Sequence, residues 1–291
     1  METNMEGLKQ VIKELQSRPL PPTEQEILNA AREYLQTLIL KFIYQSKQGA
    51  ALSFMGGTCL RICYDLKRYS EDLDFSLDDK KVPFDFPLLV ATLEKQISLL
   101  GFQVTSQQHA EKIVQKGFLS FAGLPGALNL KSFRKEQKIH IKVEVDTRPP
   151  VLEAGDRESY FVNRFHEIFP ILKHSQPTLF TGKILAVLFR AYTRGRDYYD
   201  LLWHLGNKTA INLIYLNRGH QGTPFKNEAE LFEALREKIH RADPAIVLKD
   251  IERFLEDPAE TAWISRYQEL FEQLVRTRKG QAGETAKTNF D

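Results

Sequence analysis

Apolar residues recur at three- and four-residue spacing through most of residues 4–48 and again from about 160 to 277, whereas the stretch between them mixes that spacing with strict alternation. Residues 5–16 read as a short amphipathic helix, ended by Pro19, Pro21 and Pro22. Thr23 followed by Glu26 has the form of a capping box, and Ile27, Ala30, Ala31, Tyr34, Leu35, Leu38 and Ile39 then mark one face of a long helix. Residues 51–55 form a short apolar run that leads into Gly56-Gly57. Leu60, Cys63 and Tyr64 give a helical stripe, and Leu73, Phe75 and Leu77 alternate as a strand. Residues 87–101 predict a helix, and 102–105, 118–121, 127–133 and 138–146 have strand character, so a mixed sheet is expected. Further helices are predicted over 179–194, 198–205, 228–240, 244–255 and 261–277. The polar tail from 278, with Gly280 and Gly283, is expected to be loosely ordered. The pattern divides the chain into residues 1–160, N-terminal helices and an α+β core, and residues 161–291, a helical domain.

At 291 residues there is ample material for a buried core. Forty basic against 38 acidic residues leave a net charge of +2, so any nucleic-acid contact must rest on a local patch. Lys131, Arg134, Lys135, Lys138 and Lys142 form one such cluster, with Phe133 as a stacking surface, and residues 276–279 add further basic groups. Two cysteines, Cys59 and Cys63, are too few for a disulfide framework or a zinc site and read as small buried residues. The N-terminus lacks the apolar core of a signal peptide and no run has membrane-spanning length, so a cytoplasmic protein is expected.

The chemistry concentrates in two places. Gly56-Gly57-Thr58, then a short helix, then Ser70-Glu71-Asp72-Leu73-Asp74-Phe75 is the order needed to hold a triphosphate with divalent ions. Glycines admit phosphate oxygens to backbone N–H groups, and a helix N-terminus favours the anion. Asp72 and Asp74, two apart on a strand, project from one face. In the strand 139–146, Glu144 is the first candidate for a third carboxylate and Asp146 the second; a solvated edge strand is the plainer reading of the same alternation. Downstream, Lys183, Arg190 and Arg194 are spaced to share a helix face, and Asp197 and Asp200 fall on the next helix. Those two acids either orient the basic stripe or contact a nucleotide, and ordinary surface pairs such as Arg196 with Asp200 give the same spacing.

These residues carry a family resemblance. Gly56-Gly57-Thr58-x-Leu60-Arg61, with Tyr64, Arg68, Ser70 and Asp72-Leu73-Asp74-Phe75, resembles the first motif of the AbiEii/AbiGii toxin family of nucleotidyl transferases, to which MenT-type toxins are related. Lys142-Val143-Glu144-Val145 resembles that family's second carboxylate element. Lys183-Ile184-Leu185-Ala186, with Arg196-Asp197-Tyr198-Tyr199-Asp200-Leu201, resembles its lysine helix and the segment after it. An acid that often precedes the lysine in that family is missing from residues 178–182, where Thr181 is the available helix cap. The resemblance implies a polymerase-β-like nucleotidyltransferase core with added helices, acting on an NTP with Mg²⁺ or Mn²⁺. It also implies a toxin of a type IV toxin–antitoxin or abortive-infection system, with an RNA acceptor such as a tRNA 3′ end and an antitoxin from the same operon. Asp72, Asp74 and Glu144 are then the metal ligands, and Gly56, Gly57, Thr58, Ser70 and Lys183 the nucleotide contacts. Asp197 and Asp200 complete the catalytic set. A protein acceptor, or an inert binding protein of the same fold, are the other readings of the motifs.

Overall fold

The computed structural model describes residues 3–134, 136–220 and 222–287. The chain divides into two compact units, one of residues 1–149 and 157–174 and one of residues 150–156 and 175–291. A boundary at 160 falls inside a strand.

The first unit opens with α1 (Thr3–Gln16) and α2 (Glu24–Gln45). Thr23 caps α2 and Glu26 returns a bond to the Thr23 backbone, so the capping box forms. There follow β1 (Leu52–Met55), α3 (Gly56–Tyr64), β2 (Asp72–Leu77), α4 (Phe86–Leu99), β3 (Val104–His109), β4 (Val114–Phe121), α5 (Leu124–Ala127), β5 (Ile139–Asp146), β6 (Arg157–Arg164) and β7 (Glu167–His174). The strands make one mixed sheet in the order β3-β4-β5-β2-β1-β7-β6. β2 lies at its centre, antiparallel to β1 and parallel to β5. Because side chains alternate, the register fixes two rows. Leu73 and Phe75 align with Val143 and Val145 on the buried row, and Asp72 and Asp74 align with Lys142 and Glu144 on the other. Cys59 and Cys63 are free and buried on α3.

A buried ion cluster joins three elements of this unit. Glu33 of α2, only 4% exposed, pairs with Arg61 of α3 (Nε 3.0 Å) and with Arg164 of β6 (Nη1 3.2 Å). Arg61 also donates to the Leu66 carbonyl and lies 4.6 Å from the Tyr69 ring centre. Arg61 is thus a structural residue here, paired with Glu33.

Two sequence expectations fail in this unit. Residues 127–133 are not a strand. Gly123 (φ +73°) and Pro125 start the short helix α5, Asn129 takes a left-handed conformation, and Leu128 and Leu130 turn inward. Residues 157–174, expected from about 160 onward to lie within the helical block, form the hairpin β6–β7 instead. Its turn places Phe165 and His166 both at positive φ (53° and 63°), the geometry of a two-residue hairpin turn without the usual Asn-Gly signature.

The second unit is helical: α6 (Gln176–Phe189), α7 (Gly195–Gly206), α8 (Leu213–Gly219), α9 (Glu228–Arg241), α10 (Pro244–Ile251), α11 (Thr261–Ile264) and α12 (Tyr267–Lys287). The last helix runs on to Lys287, so the expectation of a loose tail is corrected for residues 278–287, while residues 288–291 lie outside the described residues. Arg278 anchors it, with both guanidinium arms 2.9 Å from the Glu228 carboxylate and a further bond to the Thr209 carbonyl. Among the described residues no helix is long and apolar enough to cross a membrane.

Candidate active site

In the first unit the glycine pair begins α3. Gly56 has φ +78°, and a Cβ there would lie 2.2 Å from Asp74 Oδ2, so backbone conformation and the neighbouring carboxylate both exclude a side chain. The Asp74 carboxylate therefore sits against the N-terminal end of α3, whose N–H groups favour negative charge. Gly57 admits the buried guanidinium of Arg68, with the Ser70 hydroxyl close by. Thr58 is fully buried and its hydroxyl donates to the Asp72 carbonyl, fastening α3 to β2. Its side chain positions the strand and has no exposed edge for a phosphate.

Across the strands, Glu144 stands abreast of Asp74, and Asp146 abreast of Ser76. Lys142 Nζ lies 3.1 Å from Asp72 Oδ2 and 2.9 Å from Glu144 Oε2, while Lys116 Nζ reaches Glu144 Oε1 at 3.0 Å. Burial by itself raises the Glu144 pKa, but the bonds from Lys142 and Lys116 outweigh it and hold the carboxyl below its ordinary value. Burial likewise opposes the charge on Lys142, and its bonds to Glu144 and Asp72 more than restore it. Lys142 thus leaves the basic surface cluster and becomes the counter-ion of the carboxylates. Lys131, Arg134 and Lys138 of that cluster are exposed, and Lys135 lies outside the described residues.

Asp72 and Asp74 offer hard oxygen donors of the kind that Mg²⁺ and Mn²⁺ take. Among the described residues no three His, Cys, Asp or Glu groups converge to hold a metal ion. The Lys142 ammonium bridges Asp72 and Glu144, so the aspartate pair offers the donors that suit such an ion while Glu144 is engaged by Lys142 and Lys116. Lys142→Met is expected to tighten Mn²⁺ binding by about tenfold, since it removes a like charge a few ångströms from the ion's place. Calorimetric titration of the nucleotide-free chain measures this; an unchanged affinity would show that the ammonium does not compete.

In the second unit, Lys183 of α6 is gripped by two acids of α7, Asp200 Oδ2 at 2.8 Å and Asp197 Oδ1 at 3.3 Å. Asp200 is wholly buried and Asp197 nearly so. The other oxygen of Asp197 faces Arg190 Nε at 3.1 Å. α6 ends at Phe189, so Arg194 is not on its face but is the residue before α7. Thr181 is no cap either: it lies mid-helix, donating to the Pro177 carbonyl and accepting from the Asn212 N–H. Arg196 turns to Asp250 and stacks 4.3 Å from the Phe254 ring centre.

One residue in this region was not singled out by sequence. His204 of α7 is fully buried, stacked on Phe180 at 4.8 Å, with Nδ1 3.2 Å from the Thr209 hydroxyl. Burial pushes its pKa down to about 3; nearby Asp200 pulls the other way and Lys183 adds to the depression. The unfolded chain therefore binds the extra proton first. Stability is fully present above about pH 6.5 and falls as pH drops toward 3, by up to about 1.4 kcal/mol per pH unit. Melting temperatures across this window should flatten in His204→Gln; an equal slope in both proteins would rule the histidine out as its cause.

A mixed sheet with paired aspartates on its central strand, beside a glycine-started helix, belongs to the nucleotidyltransferases. The family model for the nucleotidyl transferase AbiEii toxin, type IV toxin–antitoxin system, matches residues 38–287, and the chain belongs to this family. Its fold is shared with JHP933 from Helicobacter pylori (17% identity, 90% of this chain and 97% of that one, TM-score 0.52). It is also shared with MenT4, a nucleotidyltransferase toxin from Mycobacterium tuberculosis H37Rv (16% identity, 92% and 89%, TM-score 0.53). A search of curated proteins gave no match.

Proposed function

We propose that this nucleotidyltransferase uses Mg²⁺ or Mn²⁺ to transfer a nucleoside monophosphate from an NTP to an RNA 3′ end, with tRNA as acceptor. It acts as a toxin held in check by an antitoxin from the same operon. The observation that carries the reading is the Asp72–Asp74 pair on one face of β2, with Asp74 pressed against Gly56 at the start of α3. In the reaction the acceptor's 3′ hydroxyl gives up its proton to water as its oxygen bonds to the α-phosphorus, the bond to the β-phosphate oxygen breaks, and pyrophosphate leaves. When bound, the divalent ion neutralises the triphosphate and lowers the pKa of the attacking hydroxyl.

Asp72 and Asp74 would hold that ion, with Glu144 added when Lys142 moves aside. The N–H groups of Gly56 and Gly57 and the Ser70 hydroxyl would take phosphate oxygens. In the helical unit, Lys183, its ammonium fixed by Asp197 and Asp200, is the proposed nucleotide contact. Thr58 contributes by holding α3 to β2.

The test is transfer of label from each α-labelled NTP, with Mg²⁺ or Mn²⁺, into total tRNA and into cell protein. Label in tRNA supports the reading and names the nucleotide. Label in protein alone overturns the acceptor, and no label in either overturns transfer.

A further inference from the structure

The helical unit contains a cavity of about 170 Å³ bounded by the end of α6, the turn into α7 and the last turn of α9. Its charged lining is one-sided: Arg190, Arg194, Lys238 and Arg241 against the single carboxylate of Asp197. That carboxylate is already held by Lys183 on one oxygen and Arg190 on the other. Lys238 pairs with no acid among the described residues, and Arg241 meets only the exposed Glu237, at 3.2 Å. Basic groups at the C-terminal ends of α6 and α9 offset the carbonyl charge there, but one per helix end suffices for that, and the cavity gathers four.

The remaining lining also favours an anion. The Tyr192 hydroxyl accepts from Arg190 Nη1 at 3.0 Å and its ring lies 5.3 Å from the guanidinium, which holds that fork at the cavity wall. Guanidinium forks match the oxygens of a phosphate in pairs. The volume is that of about five or six waters, room for one phosphate group and part of its hydration. We infer that this cavity is a phosphate-binding site, built by the helical unit beside the proposed transfer residues, of which it shares Asp197 but not Lys183 or Asp200. Its ligand is a single phosphate group, carried by a polynucleotide backbone or by a free phosphorylated molecule. The inference requires nothing of the transfer reaction, so its failure would leave the carboxylate reading standing.

The experiment compares the full chain with Lys238→Ala/Arg241→Ala. One arm titrates inorganic phosphate and pyrophosphate by calorimetry; the other follows a short single-stranded RNA by fluorescence anisotropy at two salt concentrations. A loss of about tenfold in RNA affinity, with a shallower salt dependence, supports the site and assigns it to a polynucleotide. A comparable loss for the free anions alone supports the site and assigns it to a small ligand. Equal affinities for every probe in both proteins overturn it, leaving the four cations as helix-end charges. Should the double variant melt lower than the parent, Lys238→Ala alone is compared on the same probes and read by the same outcomes.

Discussion

Asp74→Asn is expected to reduce nucleotide transfer by about a thousandfold or more while leaving the melting temperature nearly unchanged. The substitution keeps the side chain's shape beside Gly56 and removes only its charge. Charge at this point is what the proposed chemistry needs: a divalent ion contributes several kcal/mol to stabilising a phosphoryl-transfer transition state, and each 1.36 kcal/mol is tenfold in rate. Asp74 is central in the sheet, with Met55 on one side and Glu144 on the other, so no second acid on β1 stands ready to replace it. Asp146→Asn is the control. Its carboxylate accepts from the Arg148 N–H at the strand end and lies abreast of Ser76, so its loss should change the rate less than about threefold. Steady-state transfer by the two variants decides the matter; an active Asp74→Asn enzyme would remove the aspartate pair from the mechanism.

The largest stability effect is expected at Glu33. Its replacement by alanine removes the buried carboxylate that Arg61 and Arg164 share, leaving Arg164 to the exposed Asp65 at 3.4 Å and depriving the buried Arg61 of its bond at 3.0 Å. Breaking a buried pair in this way costs about 3–5 kcal/mol. Glu33→Gln should lose less, because it retains an acceptor. Exchanging all three residues for apolar ones of similar volume should recover most of the loss, since the ions' own desolvation then disappears. Hydrogen exchange of amides in α2, α3 and β6, compared across the variants, separates this local effect from unfolding of the helical unit. Unchanged protection in Glu33→Ala would show that solvent or another acid serves the arginines.

Much of the architecture was legible because short-range rules govern it. The capping box at Thr23, the alternation of Ile139 to Val145 and the glycine pair before a helix are local signals, and each produced its element. The candidate site was legible to the same depth: alternation puts Asp72 with Asp74, and Lys142 with Glu144, whatever the strand order. What spacing does not encode is which strand lies next to which. The approach of Lys142 to Asp72 depends on the parallel β2–β5 register, so a residue grouped with the surface lysines proved to be an internal counter-ion. Nor does spacing reveal the partner of Arg61, which lies 28 residues away on another helix. The hairpin of residues 157–174 escaped because Pro170 interrupts its alternation and its turn is made of Phe165 and His166, neither of which signals positive φ. His204 gave no signal, since its depressed pKa arises from burial that only the packed helices create.

The path of the chain between its two units bears on how such a protein can diversify. Residues 150–156 leave the first unit, contribute to the second, and return before β6 begins. Within the helical unit Asp156 accepts from Asn212 Nδ2 at 2.7 Å, and Arg218 donates to the Val151 carbonyl and pairs with Glu153. A gene exchange with one crossover after His174 would deliver foreign helices and strand this seven-residue segment among partners it was not selected with. The helical half of the protein is therefore inherited as a split allele. Recombinants that retain function should carry the segment and its helices from the same parent, as a single crossover before residue 150 provides.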